Sequence, residues 1–231
     1  MTAQYIALIP AAGIGSRMMA DRAKQYLQLG EQYILSHTLA VFCQHPLISQ
    51  VIVALHPEDR IFQTLPLAQH PKVHLVTGGN ERVDSVLAGL QYINQTANQH
   101  VLVHDAARPC LQADDISRLI TAYEKQQTPV IFAKPASDTI KYSDTSNIVT
   151  ETLDRQYIWQ AQTPQVSPVS LLHSAIEQSL AQGLTITDEA SALEAQGHKV
   201  GLVVGPAYNI KVTHPEDLAL AEFYLKQQGT I

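Results

Sequence analysis

The stretch IALIPAAGIGSRM, residues 6 to 18, decides the fold. A short apolar run ends at Ile9-Pro10, passes through small residues and two glycines, and meets Arg17. The run reads as a buried strand, and the turn after it can lay backbone N–H groups against phosphate.

Working outward, the same rhythm repeats. Strand-like runs are IALIP (6–10), VIVAL (51–55), VHLV (73–76), HVLVH (100–104), PVIFA (129–133) and KVGLVV (199–204). Helical stretches fall between and after them, at Ile34–Gln44, Glu81–Asn94, Asp114–Gln127, Val169–Gln182, Asp188–Gln196 and Pro215–Gln228. Short apolar runs separated by helices predict βαβ crossovers and an α/β fold on a mostly parallel sheet. Right-handed crossovers then gather the loops that follow the strands on one edge, where ligands bind.

Residues 136–162, ASDTIKYSDTSNIVTETLDRQYIWQAQ, break the rhythm. They are polar, with two short β-branched pieces around the turn DTSN, and predict a protruding β-hairpin arm. Such an arm is either a surface excursion or a reach toward a second subunit.

At 231 residues the chain has room for one large domain with a full core, and no linker divides it. Its net charge of −6 argues against a nucleic-acid backbone as partner. No apolar run approaches the roughly 18 residues that would suggest a membrane span, and no basic leader precedes Arg17. With no membrane partner and only Cys43 and Cys110 to pair, the expectation is a cytoplasmic protein with two buried thiols. The ten histidines show no metal-binding spacing.

The first loop fits neither common phosphate motif. A dinucleotide fingerprint wants G-x-G-x-x-G and an acidic residue about 20 positions on. Here the third glycine is missing and the next convincing strand begins only near Val51. The P-loop spacing G-x-x-x-x-G-K-[ST] is also absent. Instead Arg17 is followed by Lys24, a pair of cations suited to a longer phosphate chain.

Other loops add to it. TGGNERVDSVLAGL (77–90) is a double-glycine turn entering a helix, with Gly79, Asn80 and Ser85 near its start. Asp105 ends the HVLVH strand, placed either to pair with Arg108 or to bind a phosphate-linked Mg²⁺. Lys211 lies in NIKVT, just before the last helix.

Taken in order, PAAGIGSRM, Lys24-Gln25-Tyr26-Leu27, GGNERVDSVLAGL, HDAARP, Gln162-Thr163-Pro164-Gln165, TDEASALE and NIKVT resemble the 2-C-methyl-D-erythritol 4-phosphate cytidylyltransferase family over essentially the whole chain. The resemblance implies a Rossmann-like α/β fold and transfer of CMP from CTP to a polyol phosphate, with Mg²⁺ as cofactor. It implies that Arg17 and Lys24 stabilise charge on the α-phosphate and leaving pyrophosphate, and that Asp105 is the carboxylate nearest Mg²⁺. Ala11, Ala12, Gly13 and Gly15, with Gly79, Asn80 and Ser85, would surround the nucleotide, and Ala106 and Arg108 would flank Asp105. Arg155 and Lys211 would hold the sugar phosphate, with hydroxyls from Thr139, Thr163 and Thr187. Thr139 and Arg155 lie in the 136–162 arm, which in the family comes from the neighbouring subunit of a homodimer.

The chemistry agrees with the absence of a nucleophile–base constellation. A phosphomonoester, with its second pKa near about 6, is largely dianionic at neutral pH and needs no general base. Two departures from the family pattern stand out: Ser16 where some relatives carry arginine, and Ala23 where proline is common before the lysine. Rival readings are a cytidylyltransferase for another polyol phosphate, such as ribitol 5-phosphate, and a non-catalytic CTP-binding module. Retention of both Arg17 and Lys24 speaks against the module, because a sensor needs no transition-state cations.

Overall fold

The computed structural model describes residues 4–13, 23–93 and 99–231. In chain order its elements are β1 (Gln4–Ala11), β2 (Gln28–Leu29), β3 (Gln32–Tyr33), α1 (Ile34–Gln44), β4 (Ile48–Leu55), β5 (Val73–Thr77), α2 (Arg82–Tyr92) and β6 (Gln99–Val103). There follow α3 (Ala113–Gln126), β7 (Val130–Pro135), β8 (Ile140–Ser143), β9 (Val149–Leu153), β10 (Trp159–Pro168), α4 (Val169–Ala181), α5 (Glu189–Ala195), β11 (Gly201–Val204) and α6 (Pro215–Gln227).

Seven strands form one sheet in the order β11-β7-β10-β6-β1-β4-β5. β1 runs parallel to both β4 and β6, β4 to β5, and β7 to β11. The mostly parallel sheet of the sequence reading is therefore present. Its central strands β1 and β4 carry long apolar runs because both faces are covered, and Ile6 to Ile9 are wholly buried. One face packs against α1 and α3 through Leu39, Phe42, Ile116 and Leu119. The other packs against α2, α4 and α5 through Val86, Leu90, Leu172 and Leu193. Helix α2 lies so close to β1 that a Cβ on Gly89 would sit 2.2 Å from a Leu8 methyl, which is why this helix carries glycine at that position.

The exception to parallel pairing is β10, which is antiparallel to both its neighbours, β6 and β7. The sequence reading did not identify it as a strand, because Pro164 and Pro168 and a polar composition demote a run that tertiary pairing nonetheless holds. Against β7 its ladder is interrupted. Ala161 pairs with Ala133 and Gln165 with Ile131, so Gln162, Thr163 and Pro164 bulge out opposite Phe132 alone. A bulge of this kind re-aims side chains next to a site.

The two-stranded hairpin consists of β8 and β9, with the turn at 144–147 closed by Asp144 accepting from the N–H groups of Ser146 and Ile148. Residues 159–162, counted with the arm in the sequence reading, run in the main sheet. Both cysteines are buried free thiols. Among the described residues, no helix is long and apolar enough to cross a membrane.

Candidate active site

The loops after the parallel strands β1 and β6 meet at one edge of the sheet, as parallel crossovers require, and the bulge within antiparallel β10 and the segment before α6 join them there. They enclose a cleft of about 300 Å³. Ala11, Ala12 and Gly13 form one side, Lys24 and Ser85 border it, and Asp105, Ala106 and Lys211 complete it. A second cleft of about 270 Å³ adjoins it, lined by Arg108, Thr163, Thr187 and Asp188 among others. The two clefts share Arg82, Asp105 and Lys211.

Asp105 is the centre of this shared partition. Its Oδ1 accepts from Arg82 Nε at 3.0 Å, and its Oδ2 from Lys211 Nζ at 2.9 Å and Arg108 Nε at 3.4 Å. Burial alone would push this carboxyl up. The Arg82, Lys211 and Arg108 charges outweigh that and hold it far below the usual carboxylate range. Asp105 is thus ionised at any working pH. Breaking such a buried pair by removing one partner costs about 3–5 kcal/mol.

Arg82 is locked on its far side too. Its Nη1 and Nη2 meet Glu189 Oε1 and Oε2 at 2.7 and 3.1 Å, a bidentate pair that joins the start of α2 to the start of α5. The sequence reading quoted both residues inside motifs but gave neither a role in the site. Their signal was available: an arginine opening a helix after a double glycine, and a glutamate opening the helix after Thr187.

Behind Asp105 stands a wholly buried polar chain. A carbonyl can only accept, so His104 Nε2–H donates to the Arg108 carbonyl at 3.2 Å and fixes the tautomer. The neutral Nδ1 then accepts from the Thr163 hydroxyl at 3.0 Å, and that oxygen accepts the Asp105 N–H at 3.0 Å. Burial, the dominant cause, pulls the His104 pKa down to about 4. The Thr163 hydroxyl proton is therefore directed at His104, and Thr163 acts on the site by holding the Asp105 backbone.

Ser85 is committed in a similar way. Its oxygen accepts from the Gly79 N–H at 3.2 Å and its hydroxyl donates to the Glu81 carbonyl at 3.3 Å, which closes the double-glycine turn onto α2. Gly78 must be glycine here, since a Cβ would lie 2.6 Å from Ala12 Cβ and 2.7 Å from Ser85 Oγ. Asn80 is exposed and, like Gly79, does not line the cleft.

Lys24 begins a 3₁₀ turn whose next residue, Gln25, donates to the carbonyls of Ala11 at 2.7 Å and Gly13 at 3.3 Å. This buried amide ties the lysine turn to the end of β1. On the opposite side, Asp217 accepts from the N–H groups of Thr213 and His214, both at 2.8 Å, and anchors the segment carrying Lys211 to α6. Asn209 Nδ2 donates to the Thr163 carbonyl at 2.7 Å, fastening the same segment to the β10 bulge.

Thr187 is exposed at the rim of the second cleft, just before the Asp188 cap of α5. Thr139 and Arg155 are exposed and line neither cleft of their own chain, and Arg155 Nη1 donates to the Ser137 carbonyl within the arm. Gly15 and Arg17 lie outside the described residues. Among the described residues, no group of three or more His, Cys, Asp or Glu is placed to hold a metal.

Comparison with known proteins agrees with this architecture. The family model for 2-C-methyl-D-erythritol 4-phosphate cytidylyltransferase matches residues 5–227. The Shewanella frigidimarina protein of that name is 53% identical over 224 residues, covering 96% of this chain and 97% of that protein. The Cronobacter sakazakii protein of the same name is also 53% identical over 224 residues, covering 96% of this chain and 94% of that protein. The crystal structure of the Francisella tularensis 2-C-methyl-D-erythritol 4-phosphate cytidylyltransferase superposes with a TM-score of 0.82 at 37% identity, over 96% of this chain and all of that one. With the family model matched over residues 5–227 and relatives 53% identical over nearly the whole chain, the chain belongs to the 2-C-methyl-D-erythritol 4-phosphate cytidylyltransferase family.

Proposed function

We propose that the protein transfers CMP from CTP to 2-C-methyl-D-erythritol 4-phosphate, giving 4-diphosphocytidyl-2-C-methyl-D-erythritol and pyrophosphate. The observation that carries the reading is the pair of clefts sharing Asp105, Lys211 and Arg82. One cleft suits a nucleotide and the other a phosphorylated polyol, and a cation stands between them.

The first cleft takes the nucleotide. Ala11, Ala12 and Gly13 leave little side-chain bulk at its wall, which admits a flat pyrimidine. Lys24 borders the triphosphate's place in this cleft, and its role, shared with Arg17, is to stabilise charge that develops on the α-phosphate and the departing pyrophosphate. The second cleft takes the sugar phosphate between Arg108, Lys211 and Thr187, and Arg155 of a second subunit closes it through the arm.

The attacking phosphate is already a dianion, so the chain's part is neutralisation and alignment. Lys211 serves both clefts and lies where the new phosphate bridge forms. Asp105 sets the position of that lysine.

The residues present also fit Mg²⁺, which is usually bound through one or two carboxylates together with substrate phosphates. Asp105 supplies an ionised carboxylate at the nucleotide cleft, and its Oδ1 takes a single hydrogen bond, leaving a lone pair for the ion. When bound, Mg²⁺ supplies charge neutralisation on the triphosphate oxygens. Pyrophosphate release measured with four nucleoside triphosphates against several polyol phosphates tests the reading. Selective turnover of CTP with the methylerythritol phosphate supports it, and preference for ribitol 5-phosphate overturns the acceptor.

A further inference from the structure

Three cations share Asp105, but they are held unequally. Lys211 is the loose one, with 37% of its side chain exposed and its ammonium facing both clefts. Arg108 is nearly buried, with Nη1 on the Asn209 carbonyl at 2.7 Å. Arg82 has both Nη groups on Glu189, whose side chain is only 4% exposed.

A phosphate that enters the second cleft must compete with Asp105 for Lys211. If Arg82 could also turn to the phosphate, buried Asp105 would keep only the longer 3.4 Å contact to Arg108, at heavy cost. Glu189 prevents that turn. It occupies the two Nη groups that a phosphate would otherwise engage, and it leaves only Nε, which already points at Asp105.

We propose that Glu189 is a positioning residue of the transfer step, clamping Arg82 so that Asp105 keeps its shorter arginine contact while Lys211 is released to the incoming phosphate. The proposal rests on the reading that the second cleft takes the sugar phosphate. Glu189 itself touches neither substrate. It acts through Arg82 and Asp105, and its effect is felt at Lys211.

The test is E189Q, which keeps the shape and removes the charge. We expect CTP affinity measured by calorimetry to stay within about threefold, while kcat falls roughly 10- to 100-fold, as for a displaced reacting group. In a Lys211→Ala background, E189Q should cost little more, whereas in a Lys24→Ala background its full cost should return. Equal losses in CTP affinity and turnover, an unchanged kcat, or full additivity with Lys211→Ala would each overturn the proposal. Circular dichroism checks folding. If E189Q does not fold, E189D, which keeps the charge but not the reach, should show the same split between CTP affinity and kcat. Failure of both variants to fold would make Glu189 a folding residue and overturn the proposal. The underlying reading is tested separately in the wild-type enzyme. No pyrophosphate released from CTP with the sugar phosphate would remove both, whereas an active wild type with an equally active E189Q removes the clamp alone.

Discussion

The hydroxyl of Tyr26 donates to the Asp59 carboxylate at 2.6 Å, joining the lysine turn to the loop that follows β4. Tyr26 is almost fully buried, so this contact and the Gln25 amide pin the two residues that follow Lys24 while the lysine side chain borders the cleft. A lysine held this way costs little to reorganise when charge develops. We therefore expect Lys24→Ala to lose about 10²–10³ in turnover with a much smaller loss of CTP binding. Steady-state kinetics beside calorimetric titration with CTP checks it, and a loss confined to affinity would contradict the role.

Gly78→Ala tests the nucleotide wall. Its new methyl would press on Ala12 and on the Ser85 oxygen that closes the double-glycine turn. Overpacking of this kind costs about 1–3 kcal/mol. We expect a lowered melting temperature and a raised KM for CTP with kcat largely kept. An unchanged KM would separate this turn from nucleotide recognition.

Stability should fall on mild acidification. The buried His104 pKa is depressed from 6.5 to about 4, so the unfolded chain takes up protons first as pH drops. The stabilisation is complete above about pH 6.5 and is lost progressively toward pH 4, by about 2 kcal/mol at pH 5. His37, His45 and His100 are also lowered by burial and act in the same direction. Asp105, held far below the usual carboxylate range when folded, adds to the loss only as pH approaches its unfolded value near about 4 and continues below it. Urea unfolding at several pH values measures the slope, and His104→Gln should flatten it. An equal slope in the variant would assign the effect to the other histidines.

For the arm, we expect catalysis in trans. Arg155 and Thr139 lie outside both clefts of their own chain. If each site combines Lys24 of one chain with Arg155 of the other, a mixed dimer of Lys24→Ala and Arg155→Ala chains keeps one intact site. Unbiased mixing makes about half the dimers mixed, so about a quarter of wild-type activity should return. Mixed dimers that form but stay inactive would place Arg155 in cis.

Much of this architecture was legible because local signals agreed with the tertiary outcome. Ile34–Gln44 was read as a helix with both ends as observed, and Pro215 and Asp188 marked the starts of α6 and α5. Asp105 was found because a carboxylate ending a buried strand is unusual, and both readings left open for it concern the same atoms. What escaped depends on partners distant in sequence. β10 is a strand only because β6 and β7 flank it, and Arg82 matters only because Glu189 lies 107 residues away. The Thr163 and Ser85 hydroxyls were expected to face ligand. Their pairing with His104 and Gly79 turns on hydrogen-bond direction, which no spacing in the chain encodes.

The interruption in β10 divides what the sheet needs from what the chemistry needs. Between Ala161 and Gln165 the strand advances four residues while β7 advances two, from Ala133 to Ile131. The excess is an even number, so removing two residues would restore an unbroken ladder with every flanking side chain still on its own face. Scaffold and chemistry are thus separable here. The loop that buttresses Asp105 can be shortened or rebuilt without re-registering the core, which gives engineering, or drift among relatives, a place to change the acceptor while the sheet stays as it is.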